Sequence, residues 1–219
     1  MKKVYIIQTS LVSQVELNAL FAELVPDAKV HNLVDDSLLY DVMQNGGITP
    51  KVIARMCAYV QAAADNGADL IFNQCSSVGE AADIAAQLVA VPVLKVDSPM
   101  AERAVQLGAR IGVVATVQST MKPSCNLIRA KAAEAGKSVE IVEYLVDGAL
   151  TVLLKENNRA KHNAMVLDSV KRAEAECDVI VLAQGSMTVL LPELADIRKP
   201  VLTSPRLGVE RARKMLFGA

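Results

Sequence analysis

A strand-to-turn segment occurs twice in this chain, as 68-ADLIFNQCSS-77 and 177-CDVIVLAQGSM-187, and no other feature constrains the fold as much. Aligning Gln74-Cys75-Ser76 with Gln184-Gly185-Ser186 sets Cys75 opposite Gly185, at a separation close to half of the 219 residues. Three more pairs fall in order at nearly the same separation. Lys3-Val4-Tyr5-Ile6-Ile7 answers to Arg110-Ile111-Gly112-Val113-Val114, and Leu33-Val34-Asp35-Asp36-Ser37-Leu38 answers to Leu145-Val146-Asp147-Gly148-Ala149-Leu150. Val91-Pro92-Val93-Leu94 with Ser98-Pro99 answers to Lys199-Pro200-Val201-Leu202 with Ser204-Pro205. Chance resemblance between apolar strands explains one such pair but not four in sequence.

An apolar content of 52% allows one large core or two smaller ones in a chain of this length, and the repeat favours two. Strand patterns alternate with helical ones in both halves. Val4 to Ile7, Asp69 to Asn73 and Val91 to Val96 read as strands of the first half; Ile111 to Ala115, Val139 to Tyr144, Val179 to Ala183 and Val201-Leu202 read as strands of the second. Helical spacing runs over Val15 to Leu24, Thr49-Pro50 to Gly67, Ala101 to Leu107, about Asn158 to Glu176 and about Leu207 to Phe217. Thr116 to Thr120 reads as a turn before a helix ending at Ala135. Alternation of this kind means parallel sheets. The expected fold class is α/β, with two similar doubly wound parallel-sheet halves related by a pseudo-twofold axis and the active site in the cleft between them. The expected domains are residues 1–97 with a C-terminal helix at 206–219, and residues 98–205.

Composition removes several functions. Net charge is −1, aromatics make up 3%, Trp is absent and no basic run occurs, so a surface for nucleic acid has little to build on. No Gly-x-Gly-x-x-Gly follows a strand and no Gly-x-x-x-x-Gly-Lys-Ser/Thr occurs, so dinucleotides and nucleoside triphosphates lack their usual cradle. The opening MKKVYIIQTS is too short in apolar residues for a signal peptide or a membrane span, which gives the expectation of a cytoplasmic protein with no membrane partner. Cys57, Cys75, Cys125 and Cys177 show no CxxC spacing, and His31 and His162 complete a set that predicts no metal site and no disulfide framework. Both histidines read as surface residues.

Ligands of doubly wound sheets bind beyond the strand C-terminal ends, where Thr9, Cys75, Thr116 and Ser186 fall. Ser77-Val78-Gly79-Glu80 fits a capping box, which puts Cys75 just before a helix N-terminus. Exposed amides there favour a thiolate and lower its pKa, as a nucleophile or general base requires. The alternative reading of Cys75 is a small buried hydrophobe; its strand-end position and polar flank favour function, whereas Cys57, Cys125 and Cys177 read as core. Ser76 and Ser77 offer hydroxyls and amides to a carboxylate or oxyanion. Gln8-Thr9-Ser10 and Thr116-Val117-Gln118-Ser119-Thr120 end the equivalent first strands, and Thr9, Ser10, Thr116, Ser119 and Thr120 are expected to bind a carboxylate. Gly185 and Ser186 complete the substrate-binding set, with Gln8, Asp36, Ser37 and Gln184 as further candidates, although Asp-Asp-Ser also suits a plain turn.

Taken together, Cys75 after an apolar strand, the segment Ile111-Gly112-Val113-Val114-Ala115-Thr116 and a second strand ending in a short polar turn resemble the aspartate/glutamate/hydantoin racemase superfamily over nearly the whole chain. That resemblance implies an oligomeric enzyme without cofactor, in which two cysteines, one per half, flank the substrate's α-carbon. One thiolate removes the α-proton and the opposite thiol returns another. Cys75 matches the first cysteine, Ser76 and Ser77 its polar neighbours, and Thr116 with Ser119 and Thr120 the carboxylate-binding turn of the second half. Gly185 stands where the second cysteine belongs.

A two-thiol racemase needs an acid or base on each face of the substrate. With Gly185, Gly148 and Ala149 opposite Cys75, Asp36 and Ser37, several outcomes stay open. The preferred one is a cofactor-independent racemase-like isomerase acting on a small carboxylic acid through a carbanion or enolate, with Ser186, Gln184 or water supplying the second proton. A single-cysteine decarboxylase, related to the one the family contains, is the alternative. Covalent attack by Cys75 and plain binding of a small carboxylate are the remaining two.

Overall fold

The computed structural model describes residues 1–218. Contacts between residues divide the chain into two compact units, Met1–Ser98 with Pro205–Ala219, and Pro99–Ser204.

The first unit runs β1 (Lys2–Gln8), α1 (Gln14–Leu24), β2 (Ala28–Val34), α2 (Ser37–Gln44), α3 (Pro50–Asp65) and β3 (Leu70–Asn73). A 3-10 turn (Ser76–Val78) then leads into α4 (Gly79–Ala86) and β4 (Val93–Lys95). The second unit runs α5 (Ser98–Leu107), β5 (Arg110–Ala115), α6 (Gln118–Glu134), β6 (Glu140–Leu145), α7 (Ala149–Lys155), α8 (Arg159–Glu176), β7 (Val179–Leu182), a 3-10 segment (Gly185–Leu194) and β8 (Val201–Thr203). The last helix, α9 (Ser204–Phe217), returns to the first unit from Pro205 onward. Among the described residues no helix is long and apolar enough to cross a membrane.

Each unit holds one four-stranded sheet, ordered β2-β1-β3-β4 and β6-β5-β7-β8, and every strand pair is parallel. The two orders are the same when read along the chain. This is the α/β architecture that the alternating pattern predicts.

The two-residue period of β1 divides the first unit's core. Ile7 packs with Leu38 and Val42 of α2, Val52, Met56 and Val60 of α3, and Ala81, Ala82 and Ala85 of α4. Val4 and Ile6 face the other way, with Leu17 and Phe21 of α1, Leu70 and Phe72 of β3, and Val209 and Ala212 of α9. Phe21 and Phe72 meet edge to face at 5.3 Å. Burying each of these large apolar side chains stabilises the fold by about 1.5–3 kcal/mol. α3 begins as the sequence predicts: the Thr49 side chain accepts a hydrogen bond from the Val52 amide and Pro50 sits at the first helical position.

A small device recurs at the start of each sheet. Asp69, just before β3, accepts from the Lys3 amide at 2.8 Å, and its own amide donates to the Lys3 carbonyl at 2.8 Å. Asp178, just before β7, accepts from the Ala109 and Arg110 amides at 3.0 and 2.8 Å, while its amide donates to the Arg110 carbonyl at 2.8 Å.

Five elements differ from the sequence pattern, among them α7, which fills a stretch between the strand ending at Tyr144 and the helix from about Asn158. β2 is an edge strand of half-buried residues whose apolar positions alternate with Lys29, His31 and Asn32. α2 starts at Ser37, directly after the turn at Asp36, and fills a stretch to which the sequence assigned no helix. α6 starts at Gln118, so Ser119 and Thr120 lie in its first turn and not in a loop. The 3-10 segment after β7 fills a stretch to which no element was assigned. The histidines also differ: His162 is buried in α8 with Nδ1 3.1 Å from Asn163 Oδ1, and His31 stacks on Tyr5 of β1 at 4.8 Å. A cross-strand ring pair covers His31, as the register Tyr5 to His31 requires.

Candidate active site

In a sheet ordered β2-β1-β3-β4 the chain leaves β1 toward one side and β3 toward the other. A crevice therefore opens beyond the C-terminal ends of these two adjacent strands. Thr9 directly follows β1, while Gln74 and Cys75 directly follow β3. Pairing continues past the strands, with the Gln74 amide donating to the Ile7 carbonyl at 3.1 Å.

Cys75 has extended backbone (φ −118°, ψ 120°) and immediately precedes the 3-10 turn. Its carbonyl accepts from Asn73 Nδ2 at 3.0 Å and from the Val78 amide at 3.3 Å, which closes the turn. The thiol is half-buried and packs against the α2–α3–α4 core. Burial pushes its pKa above the ordinary thiol value. Hydrogen bonds from the Thr9 hydroxyl, the Ser77 amide and hydroxyl and the Val78 amide oppose that rise without overcoming it. The sequence expectation of a lowered pKa is thereby corrected. The N-cap of α4 falls on Val78, which makes no side-chain cap hydrogen bond, and a 3-10 turn separates Cys75 from α4.

Thr9, Ser76 and Ser77 are all buried at this strand end, and Ser10 is half-buried. Asp97, two residues beyond β4, is a member that sequence reasoning missed. It is 3% exposed, burial raises its pKa, and a hydrogen bond with Ser76 lowers it. Its Oδ1 has no partner among the described residues. Only an acidic residue directly after an apolar strand marked it in the sequence.

Three further candidates point elsewhere. Gln8 Nε2 donates to Asn32 Oδ1 at 2.5 Å and ties β1 to β2. Asp36 is exposed at the start of α2 without a cap hydrogen bond. Ser37 is exposed and bonds to Asp35 Oδ1 at 2.7 Å and to Arg55. Arg55 also pairs with Asp35 and, at 2.6 Å, with Asp41, which makes this group a brace between α2, α3 and the end of β2.

The second unit carries the equivalent crevice between β5 and β7. Thr116 follows β5, and Gln184 and Gly185 follow β7. Gln184 Oε1 accepts from both the Thr116 amide, at 2.7 Å, and the Thr116 hydroxyl, at 3.0 Å. Thr116 and Thr120 are buried, Ser119 Oγ is buried without a partner among the described residues, and Gly185 and Ser186 are half-buried. The Gly185 carbonyl accepts from Thr188 Oγ1 at 2.5 Å. Cys125 and Cys177 are buried, and Cys57 packs half-buried on the first unit's core. Among the described residues no group of three or more His, Cys, Asp or Glu is placed to hold a metal ion.

Several solved structures share this fold. An Asp/Glu racemase described as putative, from Yersinia pestis, superimposes with a TM-score of 0.78 at 17% identity and covers 99% of both chains. Glutamate racemase from Francisella tularensis subsp. tularensis SCHU S4, in complex with D-glutamate, gives 0.76 at 12% identity, covering 99% of this chain and 81% of its own. Allantoin racemase from Klebsiella pneumoniae gives 0.73 at 17% identity, covering 99% and 88%. No curated protein sequence matches the chain. The sequence pattern described as Asp/Glu/hydantoin racemase matches residues 10–212, nearly the full length, and the chain therefore belongs to the Asp/Glu/hydantoin racemase family.

Proposed function

We propose that this protein is a cofactor-independent isomerase of the racemase type, acting on a small carboxylic acid such as an amino acid or a related compound, with Cys75 as its acid/base. The observation that carries the reading is the setting of the Cys75 sulfur, which meets two hydroxyls and two backbone amides at the end of β3. Those donors stabilise a thiolate when it forms. Burial keeps that thiolate strongly basic, which suits a weakly acidic C–H beside a carboxylate.

In this reading the thiolate takes the α-proton and the electron pair left on carbon delocalises into the carboxylate as an enediolate. The strand-end hydroxyls and amides of Ser10 and Ser76 hold the developing negative charge. A proton then returns to carbon. Inversion needs a donor on the opposite face, and with glycine at the position equivalent to Cys75 in the second copy a group other than a second thiol supplies it.

Gly185 itself favours a second reading. A decarboxylase needs one thiol, because loss of carbon dioxide leaves an enediolate that takes one proton on one face. Turnover in deuterated water separates the two. A racemase incorporates solvent deuterium at the α-carbon of both recovered substrate and product, whereas a decarboxylase releases gas and labels only its product. Absence of both signals across D- and L-aspartate, D- and L-glutamate and their hydroxy analogues would sink the isomerase and the lyase together and leave carboxylate binding.

A further inference from the structure

The two units treat equivalent residues differently. In the first, the Thr9 hydroxyl is bonded to the Cys75 sulfur, and Gln74 Oε1 is buried without a partner among the described residues. In the second there is no sulfur at position 185, and the side chain of Gln184, the counterpart of Gln74, bonds to Thr116, the counterpart of Thr9.

We propose that Gln184 is the ligand-contacting residue of the second unit's strand-end crevice, presenting its carboxamide NH2 to a carboxylate oxygen, with Thr116 as the residue that positions it. The inference rests on the functional reading above and deepens it. A carboxamide is planar, so an oxygen held by both the amide and the hydroxyl of Thr116 turns the NH2 edge away from Thr116. Gln184 is half-buried, and its Nε2 is not among the enclosed side-chain atoms without a partner. The Thr116 donors are already occupied by Oε1, so the carboxylate ligand expected at Thr116 is reassigned to Gln184. A carboxamide does not ionise near neutral pH, so it supplies a hydrogen bond to a carboxylate oxygen and no proton. Its contribution is orientation and charge stabilisation.

Binding to the full-length protein tests this. The side-chain NH2 resonances of Gln184, identified by their loss in Gln184→Ala, are followed by 15N–1H correlation spectra during titration with D- and L-glutamate, D- and L-aspartate and malonate. The probe that binds is expected to shift those resonances. Its Kd should rise by about ten- to a hundredfold in Gln184→Ala and Gln184→Glu, the loss of one hydrogen bond to a charged group, and by several-fold in Thr116→Val, which keeps the backbone anchor. Should Gln184→Ala not fold, the near-isosteric Gln184→Glu and the wild-type shifts still decide. A probe that binds without moving the Gln184 resonances, and binds Gln184→Glu as it does the wild type, overturns the proposal and leaves the functional reading standing. If no probe binds and none exchanges its α-proton, the functional reading fails and the proposal falls with it.

Discussion

The hydroxyl of Thr9 is hydrogen-bonded to the sulfur of Cys75, so the residue that follows β1 lowers the proton affinity of one that follows β3. That bond favours the thiolate, against a larger opposing effect of burial. Thr9→Val removes it and should raise the thiol pKa further. Absorbance at 240 nm against pH, with Cys75→Ala subtracted to isolate this thiol, is expected to show the Cys75 step above the ordinary value of 9.0 in the wild type and higher still in Thr9→Val. A net hydrogen bond of about 1 kcal/mol corresponds to about a fivefold slower reaction with iodoacetamide at pH 8.

Removing the sulfur tests the chemistry itself. A positioned base contributes on the order of a hundred- to ten-thousandfold, so Cys75→Ala should cut kcat by at least about a hundredfold with little change in the circular dichroism spectrum. The pH profile has a definite sign. Burial raises the thiol pKa, and the base is the deprotonated form, so kcat/KM should climb with pH and level off only above 9.0. A plateau beginning near neutrality would show that Cys75 is not the group that titrates.

The brace around Arg55 makes a prediction about stability. Burial works to raise the Asp35 pKa, but hydrogen bonds from Tyr59, Ser37 and Arg55, with the charge of Arg55, bring it from 3.8 down to about 2. A depressed carboxyl stabilises the fold fully above its unfolded value of 3.8, and the contribution is lost as pH falls through about 2. The shift corresponds to about 2 kcal/mol. Urea unfolding of Asp35→Asn should show that deficit at pH 7, with the gap to wild type narrowing between pH 4 and 2.

Gly208 predicts the cost of crowding. A Cβ there would lie 2.8 Å from the Val96 carbonyl oxygen and 3.1 Å from both Phe72 Cζ and Val96 Cγ2. Alanine gains up to about 1 kcal/mol of helix propensity, yet forcing a backbone carbonyl aside costs about 1–3 kcal/mol, so the net effect is destabilising. Gly208→Ala should lower Tm by a few degrees in calorimetry. An unchanged or higher Tm would show that α9 moves away freely.

Much of this molecule was legible in its sequence because period and punctuation agreed. Val4 to Ile7 alternates between two buried faces, and Thr49-Pro50 starts α3 where a cap and a first-turn proline should. β2 escaped because an edge strand is half-wet, and Lys29, His31 and Asn32 break its apolar pattern. The position of Cys75 followed from strand and turn spacing, but its electrostatics did not. Spacing marks a nearby helix start without revealing that a 3-10 turn intervenes or how deeply the sulfur is packed. The grip of Gln184 on Thr116 was equally hidden, since it joins residues far apart in the chain through a rotamer that no local pattern specifies.

The paired aspartates at the start of β3 and β7 carry a lesson about inheritance. Asp69 and Asp178 hold the same backbone positions in both copies, 2.8 Å from the amides of Lys3 and Arg110. Each sheet must stand by itself, so neither copy can spare its fastening. The side chains at the strand ends are under no such obligation, and Cys75 and Gly185 differ where the aspartates match. A duplicated protein is therefore free to let its halves diverge in the side chains beyond its strands, and is held to likeness wherever the backbone needs support.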